Sequence, residues 1–382
     1  MKRLALGLFA SVAALLLGGP AIAQNTIKVG VPMPLSGPAA LYGEPAVKGM
    51  RMFVDEINAA GGVLGRKIRL YVEDTQGRPD EAASVVTKLI TGNGVVALIG
   101  ENSSNQSLAA APIAQANGVP MISPSSTNPA VTEKGDHIFR VCFTDPYQGK
   151  ALAFFVRGQL AMETAAILLD KKNDYSVGLA EVFAREFQAA GGRIVAEQSY
   201  SGGDSEFRPQ LTTIRAASPQ VLFIPGFYTD VGQIAIQARD LGLNVPLVGG
   251  DGWDSPVVIQ IGGKSVEGSY FSDHYFIGDP SPHVQTFVAE YRRRHGDDPP
   301  ATAALGYDAL RLFADAARRA GSLDRKAIRD QIAATKGLQG VAGEITMGVD
   351  RNPIKPVAMI KIENGQMNFA GWANPDGAPK TD

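Results

Sequence analysis

Between Leu98 and Pro129 the chain reads as strand, polar loop, helix, strand and second polar loop, and this stretch restricts the fold more than any other. Val95–Ile99 is a short apolar run ending at Gly100. Glu101–Asn105 supplies donors and acceptors, and an Ala-rich helix then runs to about Asn117. Met121–Ile122 is the next strand, with Pro124–Thr127 after it. Parallel strands need a crossover, usually a helix. As parallel neighbours, these two strands open both polar loops at the same edge of one sheet. Open α/β sheets bind ligands at that edge, so the charged end of a small molecule is expected there.

The same rhythm extends to both sides. Ile27–Met33 reads as a strand ending in Pro34-Leu35-Ser36-Gly37. A helix follows, with Pro45 near its first turn and Ala46, Met50, Phe53, Val54 and Ile57 at helical spacing, stopped by Gly61-Gly62. Ile68–Val72 is a strand and Pro79–Ile90 a helix. After Ile138–Pro146 a second series begins: helix Ala151–Leu160, strand Ala165–Leu169, helix Val177–Ala190, and strands Ile194–Gln198 and Val221–Ile224. Helix Asp230–Leu241 and strand Pro246–Val248 complete it. Helices at Pro282–Arg294, Ala301–Ala320 and Arg325–Ala334 come later. A hairpin, Val357–Ile362 with Met367–Ala370, turns at Glu363-Asn364-Gly365, where Asn-Gly suits positive φ. Alternating strands and helices favour an α/β fold with parallel sheets. The last segments are too few for a third sheet and return to the earlier two.

The chain starts as a targeting segment does. Lys2 and Arg3 precede the apolar run Leu4–Leu17, and Ala21-Ile22-Ala23 is a small-x-small cleavage site, making 1–23 a signal peptide cut after Ala23. The run is too short and wrongly flanked to span a bilayer. The remaining length, about 359 residues, suggests two domains. A slightly acidic net charge of −2 leaves no footprint for nucleic acid or anionic membranes. Cys142 is the only cysteine, so no intrachain disulfide forms; within Ile138–Phe143 it reads as a small buried hydrophobe.

Catalytic and cofactor signatures fail on inspection. There is no G-x-S-x-G elbow and no H-E-x-x-H, and His137, His274, His283 and His295 are scattered. Gly262-Gly263-Lys264-Ser265 imitates a phosphate loop whose earlier glycine would fall at Val258. Gly92–Ala97 matches the dinucleotide fingerprint in letters but precedes its strand instead of following it. No enzyme activity, metal or cofactor is expected.

The loops after the strands offer Ser36 and Tyr42, Glu101–Ser104, Ser125–Thr127, Asp170–Tyr175, Phe227–Tyr228 and Asp251-Gly252-Trp253. Any one of these is an ordinary polar loop; their spread over two βα series is the signal. Ser104 starts a helix, where free N–H groups and the dipole favour an anion. Ser125 and Thr127 add donors. Asp251 lies in the Gly-rich loop GGDGWD of the second series. An anion site facing an acid suits a zwitterion such as an α-amino acid. Tyr42, Tyr175, Phe227 and Tyr307 either wall the apolar remainder of that ligand or contact its ammonium as cation–π partners. Tyr307 serves equally well as core packing.

Several segments together resemble a known family, the type I periplasmic binding proteins of branched-chain amino acid ABC transporters. They are IKVGVPMPLSGPAALYGEPAVKGM, DEINAAGGVLGRKIRLYVEDTQGRP, VALIGENSSNQSLAAAPIAQANGVPMISPSSTNPAVT, DYSVGLAEVF, LFIPGFYTDVGQIAIQARDLGL and VGGDGW. The resemblance implies two Rossmann-like lobes, 24–144 plus 273–349 and 145–272 plus 350–382. Three hinge crossings, near Thr144–Pro146, Ser272–Tyr275 and Gly348–Asn352, would join them. It implies that Ser104, Ser125 and Thr127 hold the α-carboxylate and share the ammonium, and that Asp251 pairs with the ammonium. Tyr42, Asn102, Ser103, Tyr175, Phe227 and Tyr307 would line the pocket. Phe227 stands where tyrosine is familiar, and Gln76 and Ser103 stand near places where better-known members carry a disulfide. The implied protein is a periplasmic monomer that carries a branched-chain or other hydrophobic amino acid to an inner-membrane ABC permease. The alternatives are a periplasmic sensor, or a carrier of an amide, urea or aromatic carboxylate.

Overall fold

The computed structural model describes residues 26–373, so the expected signal peptide lies outside the described residues. The first series is β1 (Ile27–Met33), α1 (Ala40–Ala59), β2 (Ile68–Asp74), α2 (Pro79–Lys88), β3 (Ala97–Ile99), α3 (Ser104–Ala116), β4 (Met121–Ser123) and β5 (Ile138–Arg140). Its strands form a parallel five-stranded sheet in the order β2-β1-β3-β4-β5. The second is α4 (Asp145–Phe154), β6 (Thr164–Asp170), α5 (Asp174–Ala189), β7 (Arg193–Tyr200), α6 (Arg208–Ala216), β8 (Val221–Ile224), α7 (Tyr228–Asp240), β9 (Leu247–Gly249), α8 (Val257–Gly262) and β10 (Tyr270–Asp273). After it come α9 (Pro282–His295), α10 (Ala301–Ala320), α11 (Arg325–Ala333), the small pair β11 (Leu338–Gly340) and β12 (Gly343–Ile345), and the hairpin β13 (Val357–Glu363) and β14 (Gln366–Ala373).

The later helices return to the first lobe. Phe287, Leu310, Ile328 and Ile345 share one buried core with Ile27, Val29 and Val31 of β1. The hairpin instead joins the second sheet, whose order is β14-β13-β10-β9-β8-β6-β7. There β13 is antiparallel to β10 and to β14, while β10 through β7 are parallel. The second sheet is therefore mixed at one edge. Among the described residues the chain passes between lobes three times: between Arg140 and Asp145, between Asp273 and Pro282, and between Ile345 and Val357.

Strands buried on both faces explain the continuous apolar runs. All four residues of β8 are buried, as are six of the seven in β1. Helices α1 and α10 pack with almost no side chain between them. A Cβ at Gly49 would come within 2.0 Å of Ala303 O, and one at Gly306 within 2.4 Å of Ala46 O. That close approach brings the N-terminus of α10 to the space between the lobes.

Three local readings need correction. Pro45 lies well inside α1, which starts at Ala40, so Tyr42 is carried on the first helical turn and not in a loop. Proline at that position has no N–H to donate to the carbonyl four residues earlier, so α1 lacks one backbone bond there. The helix expected over Ala151–Leu160 begins earlier, at Asp145, with Pro146 in its first turn, and ends in a wider turn over Phe155–Gln159. Helices α6 and α8 are short, and no periodic run marked them.

Candidate ligand-binding cleft

A cavity of about 460 Å³ lies between the two sheet edges. Nine sequence-selected residues line it: Ser104, Ser125, Thr127, Asp251, Tyr175, Phe227, Tyr42, Asn102 and Ser103. Tyr307 does not. It packs against Phe53 and Phe287 in the first-lobe core, and its hydroxyl donates to Glu56 Oε2 at 2.5 Å. Tyr307 faces α1 and α9 because the α1–α10 contact turns that side of the helix inward.

The first-lobe wall is built from the loops after β3 and β4. Ser103 is the N-cap of α3 but makes no side-chain cap, so first-turn N–H groups remain for another acceptor. Ser104 Oγ accepts from Asn128 N at 3.2 Å, and Ser125 Oγ donates to Asn102 O at 3.0 Å. Behind them, Ser123 and Ser126 donate to Glu101 O, and Arg140 donates to the carbonyls of Ser126 and Asn128. Each loop is thus tied to the other by buried bonds, which presets the shelf. Burial pushes the Glu101 carboxyl up to about 8, so this acid keeps its proton at neutral pH.

The second-lobe wall is different in kind. Asp251 Oδ2 lies 3.0 Å from His274 Nε2, and Oδ1 is buried with no hydrogen-bond partner. Burial lowers the His274 pKa against the opposing pull of Asp251, so the imidazole is neutral and donates a hydrogen bond without supplying a charge. The ring is further held by stacking on Phe143, with centroids 3.8 Å apart. Gln148 Oε1 accepts from Asp251 N at 2.9 Å and from Ser272 Oγ at 2.6 Å, joining three chain segments at the hinge. Asp145, within the same network, is pushed up to about 8 by burial and by Asp251. The Tyr175 hydroxyl accepts from Gly252 N at 3.2 Å.

Sequence reasoning missed His274, Gln148 and Asp254. His274 was within reach, because it follows directly on β10 as the other site residues follow their strands. Gln148 sits on a helix with nothing local to mark it.

The lobes are closed on each other. Tyr42 Oη donates to Gly252 O at 2.5 Å, Tyr228 Oη to Pro38 O at 2.7 Å and Asn128 Nδ2 to Asp174 O at 2.9 Å. Asp254 Oδ2 accepts from Ala301 N at 2.6 Å, capping α10 from the opposite lobe. Such bonds exist only when the sheet edges meet.

Residues 26–366 match the family described as periplasmic binding protein. The chain belongs to the type I periplasmic binding proteins. Among relatives of this binding protein, a Leu/Ile/Val-binding protein homolog of Brucella abortus is 30% identical, with 92% of this chain and 95% of that one covered. The leucine-binding protein LivK of Thermotoga maritima is similar in structure at TM-score 0.89 and 37% identity, with 92% and 100% covered. LivJ of Streptococcus pneumoniae, solved with isoleucine, follows at TM-score 0.85 and 34% identity, with 91% and 99% covered. LivJ is a branched-chain amino acid transporter substrate-binding protein. Among the described residues of the binding protein, no helix is long and apolar enough to cross a membrane.

Proposed function

We propose that this protein captures a free α-amino acid, of the branched-chain or another hydrophobic class, and delivers it to an ABC permease. The observation that carries this reading is the Asp251 carboxylate: one oxygen lies against a neutral imidazole, the other is buried without a partner, and both face a shelf of hydroxyls and helix N–H groups. An unpaired buried charge is costly, and an ammonium on the guest removes that cost. The α-carboxylate lies against Ser104, Thr127 and the first turn of α3. Ser125, whose hydroxyl hydrogen is already committed to Asn102 O, accepts from the ammonium. Tyr42, Tyr175 and Phe227, with ring centroids 5.5–5.6 Å apart, cover the aliphatic part; Asn102 and Ser103 complete the wall. A simple aromatic carboxylate leaves Asp251 without a counter-charge and is disfavoured.

The mechanism is hinge closure. The guest docks on the first lobe, and closure adds Asp251 and the Tyr42 and Tyr228 bonds, which shift the population toward the closed form. Within the described residues the moving bodies are 26–144 plus 273–349 and 145–272 plus 350–373. The protein acts as an exported periplasmic monomer that hands its guest on unaltered. That relatives were solved with isoleucine and leucine supports the ligand class. Native mass spectrometry of the purified protein tests it: the expected adduct has the mass of a hydrophobic amino acid. A bound carboxylic acid lacking an amine would overturn the assignment.

A further inference from the structure

The cavity lining also holds a cluster of acids and amides that a branched aliphatic side chain does not explain. There the second lobe contributes Asp170, Asp230, Gly202 and Gly203, and the first lobe contributes Gln76 and Gln106. Asp170 is 6% exposed and takes only the Lys172 backbone N–H, at 3.0 Å. Around Asp230 stand neutral donors and like charges: the Gly203 N–H, the Tyr200 hydroxyl, Asp170 and Asp204. Burial and Asp170 push Asp230 up to about 6, which leaves it ionised at neutral pH. Among the described residues neither acid forms an ion pair, and Lys171 and Lys172 are both exposed.

The opposite wall supplies an independent sign. Gln106 is 7% exposed; its Nε2 donates to Gly77 O, which fixes the amide, and its Oε1 has no hydrogen-bond partner. The two walls meet here: Asn105 Nδ2 donates to Lys172 O at 3.4 Å, beside the residue that holds Asp170. An acceptor oxygen on one side and two carboxylates on the other, with no cation between them, call for a donor-rich positive group. The absence of a side chain at Gly202 keeps this part open, since a Cβ there would come within 2.7 Å of Asp170 Oδ2.

We propose that this part of the cleft is a second subsite, in which Asp170, Asp230 and Gln106 hold the terminal ammonium or guanidinium of a long amino-acid side chain. The proposal rests on the amino-acid reading above, with the α-amino and α-carboxyl groups at Asp251 and Ser104. It extends the ligand range from aliphatic to basic amino acids, whose methylene stem lies along Tyr175 and Phe227.

Titration calorimetry of the mature chain after exhaustive dialysis, with L-leucine, L-arginine, L-lysine and the neutral isostere L-citrulline, tests this. Arginine or lysine is expected to bind, and Asp230→Asn is expected to weaken that binding at least ten-fold. Leucine affinity should stay within about two-fold, which also reports that the variant is folded. Asp170→Asn should act in the same direction. The subsite is overturned, and the amino-acid reading kept, if leucine binds but the basic amino acids do not. It is overturned likewise if Asp230→Asn changes leucine and arginine equally, or if citrulline binds as well as arginine in both proteins. Absence of binding by all four ligands overturns the subsite and the amino-acid reading together.

Discussion

On the first-lobe wall of the cleft, the hydroxyls of four serines find their partners within the lobe. Ser107, Ser123 and Ser126 converge on Glu101 O, Ser125 bonds to Asn102 O, and the buried acid behind them, Glu101, holds its proton. The second-lobe wall keeps its acids short of partners: Asp251 has one bare oxygen, and Asp170 and Asp230 have no cation. The serine network of the first wall is thus complete before any guest arrives, while the first-turn N–H groups of α3 and Gln106 Oε1 stay open to one. The second is complete only with a guest between the lobes. This division suits a clamshell, because a ligand-dependent closing force must come from contacts that the open protein lacks.

The sharpest way to break the comparison is Asp251→Asn. Removing the charge should weaken amino-acid binding by roughly 3–5 kcal/mol, the scale for stranding one member of a buried pair. Unchanged affinity in calorimetry would place the two walls on an equal footing. Next is Glu101→Gln, which addresses the silent acid of the first wall. A carboxyl pushed from 4.5 up to about 8 is protonated in the fold, whereas the unfolded chain ionises above its ordinary value. Stability from this group is therefore full below about pH 4.5, falls as pH rises, and is lost by about pH 8. The variant should lack this decline, gaining about 2–4 kcal/mol on the wild type between pH 5 and pH 8 in denaturant unfolding. Equal pH profiles would mean that Glu101 is not held neutral. The smallest effect is expected from Ser104→Ala. Binding should weaken by roughly 1–3 kcal/mol, because the N–H donors of α3 remain after the hydroxyl is gone. A loss as large as that of Asp251→Asn would show that the shelf depends on one side chain.

The βα alternation was legible because strands buried on both faces need uninterrupted apolar runs, and polar residues cluster where those runs end. For that reason the loop residues Ser104, Ser125, Thr127, Tyr175, Phe227 and Asp251 could be picked out before any coordinates. Tyr307 came from the family resemblance, with core packing as its equal alternative, and it lies in the core. It stands in an apolar helix whose two sides look alike in sequence, and only the glycine-mediated contact of α1 with α10 decides which side meets the core. The hairpin's place came from the family resemblance and not from periodicity: it joins the second sheet through β10.

What the amino-acid order determined by itself is local: which segments extend, which coil, and which loops carry hydroxyls or acids. Periodicity and turn chemistry act over a few residues, so they are written in the chain. The charge state of the cleft belongs to the tertiary structure. Asp251 and His274 are separated by 23 positions, and Gln148 reaches Asp251 from 103 positions away. Burial in a shared interior lowers the pKa of that histidine against the pull of Asp251, so it brings that carboxylate no counter-charge, and this cost of desolvation exists only once the lobes have folded around it.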